Sequence, residues 1–140
     1  MSAQNTIFDP LRKKHVAATP EELVRQKMIE HLNKKCGWPL TLMMSEVEIS
    51  LDEKANHPKF RADIVCYNKN AQPQVIVECK ATDVKISQKT FEQIWRYTLI
   101  LKTPWIIVTN GEKSYCARWD EEEKKYKFAN AFPAYHPETK

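Results

Sequence analysis

The chain has 140 residues, of which 42% are hydrophobic and 29% charged, with a formal net charge of +4. This length suits one ordinary domain, and this composition is typical of a soluble globular protein. The apolar runs fall short of the about 20 residues that a membrane helix needs, and residues 1–10 lack the apolar core of a signal peptide. The sequence therefore predicts a cytoplasmic protein without a membrane contact.

The four cysteines form no Cys-x-x-Cys pair, and the four histidines show no zinc-ligand spacing. We expect reduced and mostly buried thiols. The modest positive charge permits binding to phosphates without requiring it, because an ordinary basic surface has the same composition.

Residues 1–18 show no sustained hydrophobic periodicity, which predicts an N-terminal arm ahead of a domain spanning residues 19–129. The arm carries the basic run Arg12-Lys13-Lys14-His15. This run is either a solvated tail or a contact with a phosphate backbone.

The segment Thr19-Pro20-Glu21-Glu22 predicts the start of a first helix, which should end near Lys35. Thr19 suits the N-cap, and Glu22 would complete a capping box. Glu21 and Arg25 fall inside the apolar face at 100° per residue, which is unexpected for charged residues. They either form a local ion pair or reach into a polar pocket of the core.

Residues 40–52 predict the first central strand, because Val47, Ile49 and Leu51 alternate with polar residues. One face of such a strand is buried and the other is exposed to solvent. Glu46 and Glu48 are therefore expected to be solvated and to lie outside any functional site.

The next two strands are predicted at residues 61–67 and 75–80, joined as an antiparallel hairpin by a polar link of turn composition. In a hairpin, the first residues of one strand lie beside the last residues of the other. Asp63 should therefore lie near Glu78 and Lys80, which share one face of their strand. Two carboxylates and an ammonium converge at one end of an otherwise apolar hairpin.

Charges buried among apolar residues cost several kcal/mol per ion unless a partner compensates them. One partner is a divalent cation, since Mg²⁺ binds one or two protein carboxylates and keeps several waters. The alternative is that Glu78 and Lys80 form a simple ion pair at the end of a strand.

A second helix is predicted from about Gln88 to Leu101, with two apolar stripes that indicate packing on two sides. Gln93 and Tyr97 lie on one of these stripes, so we expect them to be partly buried with hydrogen-bond partners. Gln93 could instead cap a helix that starts at Thr90.

The apolar run Trp105–Thr109 predicts a strand inside the sheet, reached by a helical crossover. Residues 114–119 and 124–128 predict an edge hairpin around an acidic turn. The tail at residues 130–140 is expected to be loose.

This order of elements and motifs resembles the PD-(D/E)XK nuclease superfamily. More narrowly, it is similar to stand-alone relatives of the N-terminal nuclease domain of the type I restriction enzyme R subunit. The shared pieces are Pro20-Glu21 with Arg25, Gly37-Trp38-Pro39, Arg61-Ala62-Asp63, Glu78-Cys79-Lys80, Gln93-x-x-x-Tyr97 and Thr109-Asn110-Gly111. Ala62 stands in place of the proline that names the superfamily, and that proline carries no chemistry.

The resemblance implies an α/β, restriction-endonuclease-like αβββαβ core, with a mixed central sheet flanked by helices and a C-terminal β-hairpin. It also implies an Mg²⁺-dependent deoxyribonuclease, with Mn²⁺ as a substitute. Asp63 and Glu78 would hold the metal, Glu21 would complete its shell directly or through water, and Lys80 would place the attacking water. Supporting or DNA-contacting roles fall to Gln93, Tyr97, Arg25 and Arg61.

The implied partner is DNA, together with a second copy of the chain or a separate restriction-system subunit. The chain holds only two glycines and no phosphate-binding loop, so we expect any motor function to reside elsewhere. A catalytically silent nucleic-acid-binding or assembly module with the same fold is the alternative.

Overall fold

A computed structural model describes residues 5–50 and 59–137 of the chain. Within these residues it has two helices, a short 3-10 turn at Leu40–Leu42 and eight strands. The helices are α1 (Pro20–Lys34) and α2 (Gln88–Leu101). The strands are β1 (Thr6–Asp9), β2 (Lys14–Ala17), β3 (Met43–Ser50), β4 (Lys59–Tyr67), β5 (Pro73–Cys79), β6 (Trp105–Thr109), β7 (Ser114–Asp120) and β8 (Lys125–Phe128).

Strands β3 to β8 form one mixed sheet in sequence order. Neighbouring strands are antiparallel except β5 and β6, which are parallel and joined by α2 as a crossover. This arrangement confirms the predicted α/β class with its mixed central sheet, interior crossover strand and C-terminal edge hairpin. No helix in the described part of the chain is long and apolar enough to cross a membrane.

The sheet has an apolar core on each of its faces. On one face α1 packs against the inner strands through Val24, Met28, Ile29, Leu32, Ile64, Val75, Val77 and Ile107. On the other face α2 does the same through Phe91, Ile94, Val65, Ile76, Ile106 and Val108. Because β5 and β6 are covered on both sides, their sequences are continuous apolar runs rather than alternating ones.

Local signals set the helix ends. The Thr19 hydroxyl caps α1 by accepting from the Glu22 backbone N–H at 3.1 Å, but the Glu22 carboxylate binds elsewhere instead of completing the predicted capping box. Ser87 and Thr90 form a complete capping box at the start of α2. The prediction that Gln93 caps a helix starting at Thr90 is therefore wrong.

Both chain ends are more ordered than the sequence indicates. Within the predicted arm, β1 and β2 pair as an antiparallel hairpin and bury Asp9 completely. In the predicted loose tail, the Pro133 carbonyl accepts from the Trp38 indole N–H at 2.9 Å, and the Tyr135 N–H donates to the Cys36 carbonyl at 2.8 Å. Neither contact follows a sequence period, so periodicity could not reveal it.

The predicted strand at residues 40–52 is shorter in the structure, because a 3-10 turn precedes β3. Residues 51–58 of that prediction and of the following loop lie outside the described residues. All four cysteines are free thiols, and Cys66, Cys79 and Cys116 are buried, as expected. The predicted domain boundaries remain predictions.

Replacing Phe91 by alanine should strongly destabilise the fold. Its side chain is fully buried, and its ring lies 5.0 Å from that of Phe128 and 5.8 Å from that of Trp95. We expect Phe91→Ala to lower the free energy of unfolding by about 3–5 kcal/mol in chemical denaturation. Lys89→Ala, an exposed position on the same helix, should change it by no more than about 0.5 kcal/mol. A loss below about 1 kcal/mol for Phe91→Ala would contradict this packing.

Candidate metal and nuclease site

Asp63 lies where the ladder between β4 and β5 ends. Pairing between these strands includes Ile64 with Val77. One position further along, the Asp63 Oδ2 atom accepts the backbone N–H of Cys79 at 2.7 Å. The structure thus brings Asp63 to the end of β5, as the hairpin geometry predicts.

Glu78 and Lys80 flank Cys79 at the same place. The Lys80 Nζ lies 3.3 Å from Glu78 Oε1, and the Lys80 backbone N–H donates to the Thr109 carbonyl at 2.8 Å. Only 16% of the Glu78 side chain is exposed. Its second oxygen, Oε2, is buried and has no hydrogen-bond partner among the residues that the structure describes. A buried carboxylate oxygen without a partner is uncommon in proteins and marks a place where an ion or a water would bind favourably.

The electrostatics of Glu78 reflect this incomplete compensation. Burial raises the pKa of Glu78 from its usual value of 4.5 to about 7, with the negative charges of Asp63 and Glu21 acting in the same direction and Lys80 opposing them. The raised pKa means that the pocket as folded disfavours a second negative charge. A cation would reverse that preference.

Arg25 provides the compensation for Asp63. Its Nη2 lies 3.0 Å from Asp63 Oδ1, and its Nη1 lies 3.0 Å from Glu22 Oε1 and 3.5 Å from Glu46 Oε1. Burial alone would lower the pKa of Arg25, but these carboxylates outweigh it and raise the pKa. Of the two predicted alternatives for Arg25, the structure shows the one in which it reaches the polar pocket.

Glu46 and Glu48 are exposed, as expected, but the prediction that Glu46 lies outside the site is wrong. Its carboxylate contacts Arg25, Arg12 at 3.3 Å and Arg61 at 3.5 Å, and about a third of the side chain is exposed. Its φ of 53° is unusual for a non-glycine residue in a strand. Exposed and partly buried positions still alternate along β3, so the period-2 pattern placed Glu46 opposite Val47 correctly but could not show which cations lie on that face.

Sequence reasoning also missed Asp9, Arg12, Glu22 and Gln26. The Glu22 carboxylate accepts hydrogen bonds from Arg25, Arg12 and Gln26. Glu22 and Arg25 are three residues apart, so their proximity follows from helical geometry. The contributions of Asp9 and Arg12 depend on a hairpin that the sequence did not reveal.

The other residues that the sequence predicts for the site lie further from Asp63 and Glu78. Glu21 is exposed and acts on Glu78 through its charge. Arg61 is largely exposed and pairs with Glu46. Gln93 is exposed on α2, so its predicted burial is wrong. The side chain of Tyr97 lies outside the described residues. Because Gln93 is exposed, the second side of α2 is not packed at this residue as predicted.

The donor set partly fits a divalent cation. Glu78 offers a buried carboxylate oxygen that no group in the described part of the chain binds, and Asp63 lies close enough to raise its pKa. Both Asp63 oxygens are engaged, one by Arg25 and one by Cys79. Among the described residues, no three His, Cys, Asp or Glu side chains are grouped closely enough to hold a metal ion. A bound ion would therefore use two carboxylates plus water, which is the usual situation for Mg²⁺.

Residues 20–133 match the family described as Type I restriction enzyme R protein N terminus (HSDR_N). The chain belongs to this family. The matched region contains every residue predicted for the site, and it relates the chain to restriction enzymes. It also includes the packed tail as far as Pro133, whereas the β1–β2 hairpin precedes it. No curated protein and no solved structure matches the chain.

In this member of the family, the charge of Glu78 should make stability depend on pH. Between pH 4.5 and about 7, the folded chain keeps a proton on Glu78 that the unfolded chain has released. The free energy of unfolding therefore falls as the pH rises through this window, by about 3 kcal/mol for a shift of this size. The glutamine side chain in Glu78→Gln is uncharged at every pH, so this variant should not lose stability in this way.

Chemical denaturation in a metal-free buffer with chelator tests this dependence. Wild type and Glu78→Gln should differ little below pH 4.5, and the variant should be the more stable by up to about 3 kcal/mol above pH 7. Stability curves that run parallel across this range would contradict the assignment.

The Arg25–Asp63 pair should show strong energetic coupling. Arg25→Met leaves the buried Asp63 carboxylate without its cation, so we expect a loss of roughly 3–5 kcal/mol in the free energy of unfolding. Adding Asp63→Asn removes the uncompensated charge, and the double variant should lose less than the sum of the two single variants. Additive losses in chemical denaturation would show that the two side chains act independently.

Proposed function

We propose that this chain hydrolyses phosphodiester bonds of DNA in an Mg²⁺-dependent reaction, as a PD-(D/E)XK nuclease. One observation carries the proposal: the buried Glu78 carboxylate has an oxygen without a partner in residues 5–50 and 59–137, and it lies beside the negative charge of Asp63. Neighbouring carboxylates, one of them buried with a raised pKa, are typical of functional sites. Family membership supports the restriction-related context.

Asp63 and Glu78 would hold the Mg²⁺ ion, for which Mn²⁺ can substitute, and exposed Glu21 lies near enough to add its charge through a water. When bound, the ion would neutralise charge on the scissile phosphate and lower the pKa of a coordinated water. Glu78 must release its proton to bind the ion, so binding favours a pH above about 7.

Lys80 would orient the attacking water and provide a path for its proton. Its ammonium lies 3.3 Å from Glu78 Oε1, and its backbone is fixed to the end of β6 through Thr109. An ammonium in this position can donate to water or to a phosphate oxygen. It remains half-exposed, so a substrate can reach it.

The proposed partner is DNA, encountered in the cytoplasm, and a second copy of the chain would allow both strands to be cut. Translocation along DNA would need a separate restriction-system subunit. Gln93 and Arg61, both exposed, remain proposed contacts to the strand. The same role is proposed for Tyr97.

A second candidate is a catalytically silent module that binds DNA or assembles with a restriction complex. The observation that favours it is the full engagement of Asp63, whose oxygens contact Arg25 and the Cys79 N–H. If Arg25 is a permanent counterion, metal binding is unnecessary for folding or for binding DNA.

Purified protein should nick supercoiled DNA when Mg²⁺ or Mn²⁺ is present, and chelator should stop the reaction. Asp63→Ala, Glu78→Ala and Lys80→Ala should each lower the rate by at least about 100-fold, since each removes a metal ligand or the proton path. Circular dichroism of each variant must show an intact fold. Supercoiled, linear, single-stranded and modified DNA would be tested at high protein concentration.

Binding of DNA measured at several salt concentrations separates the two candidates. A silent module should leave all four DNA forms uncut yet bind DNA with a salt slope that chelator does not change. Metal-dependent cleavage that is lost in the three variants would exclude the silent module.

A further inference from the structure

A chain of ion pairs joins the β1–β2 hairpin to the candidate site. It begins in the hairpin, crosses α1 and β3, and ends at the carboxylate proposed to bind metal. We call this chain the arginine relay, and its members are Asp9, Arg12, Glu22, Glu46, Arg25 and Asp63. The hairpin lies ahead of the residues that match the family, which begin at residue 20. The relay therefore extends the site beyond that matched region.

Arg12 bridges three carboxylates that come from three elements. Its Nε donates to Asp9, its Nη2 lies 2.5 Å from Glu22 Oε1, and its Nη1 lies 3.3 Å from Glu46 Oε2. The planar guanidinium can make these three contacts at once because its donors point in fixed, divergent directions. A lysine carries the same charge but concentrates it at a single nitrogen.

The hairpin holds Arg12 in place. Asp9 is fully buried, its Oδ1 accepts the Leu11 N–H at 2.8 Å, and its carbonyl accepts the Lys13 N–H at 2.7 Å. Burial alone would raise the pKa of Asp9, but the hydrogen bonds from Arg12 and Leu11 outweigh it and lower the pKa. Asp9 is thus an ionised anchor at the turn from which Arg12 extends.

Arg12 and Arg25 share the same acceptors. Glu22 Oε1 is contacted by Arg12 Nη2 and by Arg25 Nη1, and Glu46 contacts both guanidinium groups. Two guanidinium groups on one carboxylate repel each other and compete for the same lone pairs, so each is held less firmly than it would be alone. If Arg12 releases Glu22 and Glu46, these acids will attract Arg25 more strongly, and Arg25 will hold Asp63 less.

We propose that Arg12 is a positioning residue of the metal site, which controls through Glu22, Glu46 and Arg25 how available Asp63 is to a divalent cation. This inference rests on the proposed function, because it concerns the same cation. The N-terminal hairpin is then part of the site rather than an arm beside it.

Titration calorimetry of the full chain with Mg²⁺ or Mn²⁺ tests the inference without any substrate. Arg12→Lys keeps the charge but cannot bridge three carboxylates, so it should tighten cation binding roughly three- to tenfold relative to wild type. Arg12→Gln should tighten it at least as much. Lys13→Gln removes one positive charge from the same turn outside the relay and should leave the affinity within about twofold.

An affinity for Arg12→Lys equal to that of wild type would overturn the inference, because a purely electrostatic role of Arg12 survives this substitution. Weaker binding would overturn it too, since it would mean that the hairpin merely supports the fold of the site. Circular dichroism must show that each variant is folded under the titration conditions.

A measurement without metal separates failure of the inference from failure of the proposed function. Chelator-treated wild type, Arg12→Lys, Asp63→Asn and the double variant would be unfolded with denaturant. The relay predicts non-additive losses for these two positions, which Arg25 connects. Additive losses would overturn the relay whatever the metal does. Non-additive losses in a protein that binds neither Mg²⁺ nor Mn²⁺ would show that Arg12 is coupled to Asp63, but they would overturn the proposed function and, with it, the control of cation binding by Arg12.

Discussion

Two acidic side chains share one end of the β4–β5 hairpin, and the fold must compensate both of them inside a sheet that is apolar on each face. The compensation is unequal. Within the described residues, Asp63 receives a guanidinium and a backbone N–H, whereas Glu78 receives one lysine and keeps a buried oxygen without a partner. Because charges in an apolar interior are costly, this inequality determines where a cation or a proton will bind.

The unequal compensation gives the two carboxylates different states. The pKa of Glu78 is raised to about 7, so Glu78 changes between its protonated and ionised forms near neutral pH. Asp63 is held by Arg25, so an incoming cation gains from Glu78 but must compete with a guanidinium for Asp63. A site built this way can remain folded without metal, since Asp63 already has a counterion. The free energy of the proposed metal binding would then depend on how firmly Arg25 is held.

What holds Arg25 comes from distant parts of the chain. Glu22 lies one turn before it on α1, Glu46 lies on β3 at an unusual backbone φ, and Arg12 reaches both from the N-terminal hairpin. Each guanidinium contacts more than one acid, so no ion pair in this network is independent of the others. The hairpin adds contacts to the α1 face of the sheet. The packed tail also adds contacts to this face, where Tyr135 packs against Trp38. The face that carries Arg25 is thus the one that the chain ends support.

The sequence by itself determined the elements with strong periodicity and the residues brought together by one hairpin. The buried strands β5 and β6, the helix from Gln88 to Leu101 and the closeness of Asp63 to the end of β5 all follow from local pattern and strand geometry. Only the tertiary structure decided that Arg25 binds Asp63, that Glu46 turns into the site and that Arg12 joins them. These contacts link residues far apart in sequence, and no hydrophobic period encodes them. Which charges compensate one another depends on which side chains lie close together in the folded chain. This could not be deduced from their spacing along the sequence.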